Sequence, residues 1–82
     1  MKKILYFSAE WCRPCMQLKP KMVALSATLP IQIIDIDKDP AMATKYNIRN
    51  IPAVIVVDGI AVTARLVGNN ITHESVTHAY NQ

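Results

Sequence analysis

Apolar residues follow two rhythms along this chain. Residues 3–7, KILYF, form a compact apolar run without polar alternation, which predicts a short strand buried on both faces. Cys15, Leu18, Met22, Leu25 and Leu29 then recur at spacings of three and four, the signature of one buried helix face. Pro14 suits the first turn of that helix, where a missing N–H leaves nothing unpaired. Pro20 falls inside the pattern; it offers no N–H to the carbonyl of Met16 and predicts a kink. Pro30 ends the segment. IQIIDID at 31–37 predicts a second strand. DPAMATKY at 39–46 predicts a short helix, with Asp39 as its cap, Pro40 at its first position and Asn47 closing it. AVIVV at 53–57 and IAVTARL at 60–66 read as two strands joined by a tight Asp58-Gly59 turn. After a turn at Gly68-Asn69-Asn70, Thr72 caps a last helix that reaches about Tyr80, with Glu74 near its positive end.

The order is therefore β-α-β-α-β-β-α. The first two strands flank a helix of crossover length and should be parallel, with a right-handed connection. The last two form a hairpin and must be antiparallel. The expected fold class is α/β, a mixed four-stranded sheet with helices on both faces.

Composition narrows the picture. A length of 82 residues predicts one domain, 1–82, and 51% apolar content suffices for one modest core. No repeat, low-complexity stretch or linker interrupts it. The apolar runs are too short to span a bilayer, so no membrane association is expected. The basic start followed by ILYF resembles a secretory signal. The apolar stretch ends at Ser8, however, short of the ~7–15 residues that such a signal requires. The protein is accordingly expected in the cytoplasm. Net charge is +3 without any basic stripe interleaved with aromatics, so nucleic-acid binding gains no support.

The chemistry concentrates in EWCRPC at 10–15, which holds the only two cysteines. A structural staple, half of a metal site and a reversible redox pair are the three readings. A disulfide over so short a span constrains little chain entropy, and a reducing cytosol opposes it. Zinc requires two further ligands. His73 and His78 have a suitable mutual spacing but lie much farther from Cys15 than a finger allows. Redox chemistry is favoured by position, because the pair follows a buried strand and opens a helix in a βαβ unit. Free N–H groups and partial positive charge at the helix start stabilise a thiolate on Cys12, and Arg13 adds a fixed positive charge. Cys15 begins the apolar stripe and is expected to be the more buried thiol. The result is one exposed attacker and one buried resolver, with the staple and zinc remaining as alternatives.

Along nearly its whole length the chain resembles the thioredoxin family. The resemblance runs through Phe7, Ala9-Glu10-Trp11, Cys12-Arg13-Pro14-Cys15, the helix proline Pro20, Asp37, Asp39-Pro40, Tyr46, Ile48-Arg49, Ile51-Pro52 and Val67-Gly68. It implies a thioredoxin-like fold and a protein-disulfide reductase. Cys12 would be the nucleophile and Cys15 the resolving thiol, with Trp11, Arg13 and Pro14 completing the catalytic segment. Ile51-Pro52 would be a cis peptide whose bare Ile51 backbone pairs with an extended client, while Trp11 and Gly68 border the client groove. The implied partners are disulfide-containing client proteins and a thioredoxin reductase. No cofactor beyond the Cys12/Cys15 pair and no metal is expected, and the protein should be a monomer. Arg13 and Arg49 are expected on opposite sides of the site, a positive face suited to acidic partners.

The chain also departs from the family. It lacks an additional N-terminal strand and helix and has the size of a glutaredoxin. Arg13 stands where thioredoxins usually carry glycine. Tyr6 and Ile33 replace a buried aspartate and a lysine that assist proton transfer at the buried thiol, and the Tyr6 hydroxyl or a water is the candidate substitute. The competing functions are a glutaredoxin-like protein recharged by glutathione, an oxidase or isomerase, and a thioredoxin-fold binding module.

Overall fold

A computed structural model describes all 82 residues. The elements follow the expected order: β1 (Lys2–Ser8), α1 (Arg13–Leu25), β2 (Ile31–Asp35), α2 (Pro40–Lys45), β3 (Ala53–Asp58), β4 (Ala61–Val67) and α3 (His73–Asn81). They build one sheet in the order β2-β1-β3-β4. β1 runs parallel to β2 and antiparallel to β3, and β3 and β4 form the antiparallel hairpin. Gly59, at φ 64°, supplies the left-handed residue of the hairpin turn.

The uninterrupted apolar character of β1 has a direct cause, since its residues serve two cores in alternation. Ile4 and Tyr6 face Met22 and Leu25 of α1 and Val76 and Ala79 of α3. Leu5 and Phe7 face the opposite side, where Met42 and Tyr46 of the α2 region pack on the sheet. β3 alternates in the same way, Val54 and Val56 to one core and Ile55 and Val57 to the other. Ile4 through Phe7 have no solvent exposure at all. A strand buried on both faces needs no polar positions, and its side-chain period of two still assigns each residue to a core.

Local chemistry sets the boundaries, and several differ from the sequence reading. β2 stops at Asp35 instead of Asp37, because the Asp35 carboxylate accepts the N–H of Asp37 at 2.8 Å and its carbonyl accepts that of Asp39 at 2.9 Å, turning the chain. α1 ends at Leu25, although the apolar stripe continues to Leu29; Leu29 reaches the same core from a turn bonded back to Leu25. The helix continues through Pro20. Residues 68–70 form a short 3₁₀ turn. Asp39 caps α2 through the N–H of Met42, and Asn47 follows that helix at φ 55°. Thr72 and Ser75 cap α3 reciprocally, with bonds of 3.0 and 2.8 Å.

Candidate redox site

α1 begins where β1 has delivered the chain to the carboxyl end of the sheet. Cys12 is the N-cap of that helix, and its Sγ accepts the N–H of Cys15 at 3.3 Å. The arrangement favours an anionic sulfur, since a thiolate there meets a main-chain donor and the positive end of the helix. Cys12 and Cys15 are joined by a disulfide closed over the first helical turn, with Cα atoms 5.2 Å apart. Ala9 forms a small buried cluster with them, covered by Ile36 and Ile51. Cys15 is wholly buried. Cys12, expected to be openly exposed, keeps 6% exposure in this bonded form because the cluster closes around it. It is nonetheless the more exposed of the two cysteines.

Tyr6 lies beneath this turn without solvent exposure, and its hydroxyl donates to the carbonyl of Cys15 at 2.8 Å. Burial pushes its pKa up to about 12. A phenol that holds its proton this firmly and spends it on a carbonyl is no base for the Cys15 thiol. The suggestion that Tyr6 replaces the family's buried acid in proton transfer therefore gives way to an anchoring role. Ile33 is half-buried against the same core.

Several residues singled out in the sequence come together. Ile51–Pro52 is a cis peptide, and neither the N–H nor the carbonyl of Ile51 has a main-chain partner. Gly68, at φ 62°, donates its N–H to the carbonyl of Pro52 at 2.9 Å. A Cβ at Gly68 would meet nothing within 4 Å, so backbone conformation and not crowding calls for glycine there. Pro14, Ile51, Pro52 and Gly68 line one groove of about 360 Å³. Trp11 projects into solvent, 68% exposed, with its indole N–H donating to Asp37 at 2.8 Å. Arg13 is exposed at the first position of α1. Arg49 lines a cavity of about 120 Å³ with Arg65, and its Nε donates to Asn47 Oδ1 at 3.4 Å. The two arginines thus share no groove.

Sequence reasoning missed Gln17, Lys21 and Asn69 in the groove of Pro14. The helical spacing of Pro14, Gln17, Leu18 and Lys21 was the available signal, since it places all four on one face of α1. The histidines stay on α3, and nowhere do three His, Cys, Asp or Glu side chains converge as metal ligands do. No helix is long and apolar enough to cross a membrane.

Comparison with known proteins gives this geometry a context. The thioredoxin family model matches residues 1–80. A thioredoxin of Chlamydia trachomatis serovar D is 40% identical over 68 residues, covering 79% of this chain and 67% of the relative. Thioredoxin H5 of Oryza sativa subsp. japonica is 33% identical over 82 residues, covering 96% and 59%. The chain thus spans about three fifths to two thirds of the length of these curated relatives. Reduced thioredoxin pre-protein of Schistosoma mansoni superposes with a TM-score of 0.85 at 27% identity, covering 98% of this chain and 76% of that one. Thioredoxin 1 of Thermosipho africanus superposes with a TM-score of 0.82 over 96% of this chain and 90% of that one; at 23% identity it speaks for the fold alone. With a Cys-X-X-Cys disulfide at the start of α1, this sheet order and the family match over 1–80, the chain belongs to the thioredoxin family.

Proposed function

We propose that the protein reduces disulfides in client proteins by cycling Cys12 and Cys15 between dithiol and disulfide, and that a thioredoxin reductase restores the dithiol. The observation that carries this reading is the Cys12–Cys15 bond closed over the first turn of α1.

In the reduced protein, the Cys12 thiolate attacks one sulfur of a client disulfide. A bond forms between Cys12 and the client, the client's S–S bond breaks, and the departing sulfur leaves as a thiolate that takes up a proton. Cys15 then loses its proton and attacks Cys12 Sγ. The second client sulfur departs and is protonated in turn. The client gains two electrons and two protons, and the pair becomes the disulfide. The N–H of Cys15 supports negative charge on Cys12 as it attacks the client, and again when the reductase releases it as a thiolate. Burial of Cys15 directs the client to Cys12. The unpartnered main chain of Ile51 is the proposed edge for an extended client segment, with Pro52, Gly68 and Trp11 as its surroundings. Arg13 contributes positive charge beside the pair, a feature that acts chiefly on association rate. We place the activity in the cytoplasm, where reducing systems maintain the dithiol, with the protein acting as a monomer.

The test follows NADPH consumption in a mixture of this protein, thioredoxin reductase and insulin. A parallel mixture replaces that reductase with glutathione and glutathione reductase. Turnover in the first mixture is expected. Turnover in the second alone would transfer the protein to glutathione-dependent chemistry. Silence in both would leave a binding role and remove the reductase reading.

A further inference from the structure

The groove beside the cis peptide has a charge pattern of its own. Gln17 and Lys21 of α1 and Asn69 of the loop after β4 give it polar walls, and Lys21 is the only charged residue among them. The one ion pair in the structure joins the N-terminal ammonium to Asp58, so Lys21 has no carboxylate partner. The acidic residues near the site lie elsewhere. Glu10, Asp35 and Asp39 line a separate depression, and Asp37 is engaged by Trp11. The groove therefore offers an extended segment one unpaired cation, two side-chain amides and no opposing acid.

We infer that the groove selects client segments that present a carboxylate to Lys21, an inference that rests on the reductase reading above. The fold also sets where that carboxylate falls. Lys21 lies nine residues beyond Cys12, the N-cap of the same helix. That is about 13.5 Å along the axis at ~1.5 Å per residue. An extended chain covers the distance in roughly four residues at ~3.3 Å each. The favoured client carries Asp or Glu about four residues from the cysteine that bonds to Cys12. The amides of Gln17 and Asn69 are the donors available to the same carboxylate.

The experiment uses the reduced full chain and a set of synthetic peptide disulfides. They are identical except for Glu, Gln or Lys four residues before or after the reactive cysteine. Thiol release is followed with each peptide for the native protein, Lys21→Gln and Lys21→Arg. In one of the two placements the native protein should reduce the Glu peptide roughly two- to fivefold faster than the Gln peptide at low salt, the range that an exposed ion pair supplies. That ratio should fall toward one in high salt and in Lys21→Gln, and return in Lys21→Arg. Equal rates for Glu and Gln peptides with the native protein would overturn the inference and leave the reductase reading intact. A preference that persists in Lys21→Gln would also overturn it, assigning the selectivity to a cation outside the groove. Failure to reduce any peptide would overturn the reductase reading and this inference with it.

Discussion

The Tyr6 hydroxyl donates a 2.8 Å hydrogen bond to the main-chain carbonyl of Cys15. One buried side chain of the central strand thereby ties down the turn that carries the redox pair. The bond links β1 to α1 at the resolving cysteine, and Tyr6 is the only one of the nine buried residues in the core shared by α1 and α3 to carry a hydroxyl.

Tyr6→Phe should lower stability at neutral pH by about 1 kcal/mol, the usual net worth of a single hydrogen bond. The alkaline behaviour is more specific. Tyr6 has a pKa raised from 10.0 to about 12 in the folded chain. The fold favours the protonated phenol, so this contribution is complete below pH 10 and is lost as pH rises toward 12. Urea midpoints measured across that range should fall more steeply for the native protein than for Tyr6→Phe. Client reduction between pH 6 and 9 should keep the same profile shape in both, because Tyr6 does not titrate there; a profile altered in shape would restore Tyr6 as a proton-transfer group.

Cys15→Ser should accumulate a mixed disulfide with a client, since Cys12 still attacks and nothing resolves the product. Cys12→Ser should accumulate none, because Cys15 is fully buried. Intact-mass measurement after mixing with an oxidised client separates the two, and an adduct on Cys12→Ser would reverse the assigned roles.

Trp11 is the only tryptophan, which makes its bond to Asp37 directly observable. Asp37→Ala should free the indole and lower its fluorescence anisotropy. Stability should change by less than about 1 kcal/mol, because both partners are exposed and the bond competes with water. Anisotropy equal to that of the native protein would mean that packing, not the carboxylate, orients the ring.

Thr72→Ala removes one half of the reciprocal cap on α3 and should destabilise the protein by about 1 kcal/mol. Because Val76 and Ala79 of that helix close the core containing Tyr6, the loss should appear as a lower midpoint in a single cooperative denaturation. A separate early transition confined to helical signal would indicate that α3 unfolds on its own.

The sequence by itself determined the order of elements, the mixed sheet and the redox pair. Hydrophobic period, prolines at helix starts and Gly59 are local signals, and local backbone preferences obey them; the hairpin turn itself falls on Gly59-Ile60, one residue later than Asp58-Gly59, because Asp58 still pairs with Ala61. Ends of elements were less legible. Asp35 turns the chain by bonding its own neighbours, and Leu29 joins the core from outside the helix, although both fit the longer periodic patterns. The tertiary structure alone decided the site's working surface. It set Arg49 in a cavity with Arg65, brought Lys21 and Asn69 to the cis-proline groove, and set the Tyr6 hydroxyl against the Cys15 carbonyl. Such placements depend on how the sheet twists and how α1 lies across it, and those are properties of packed elements that no short stretch of sequence contains.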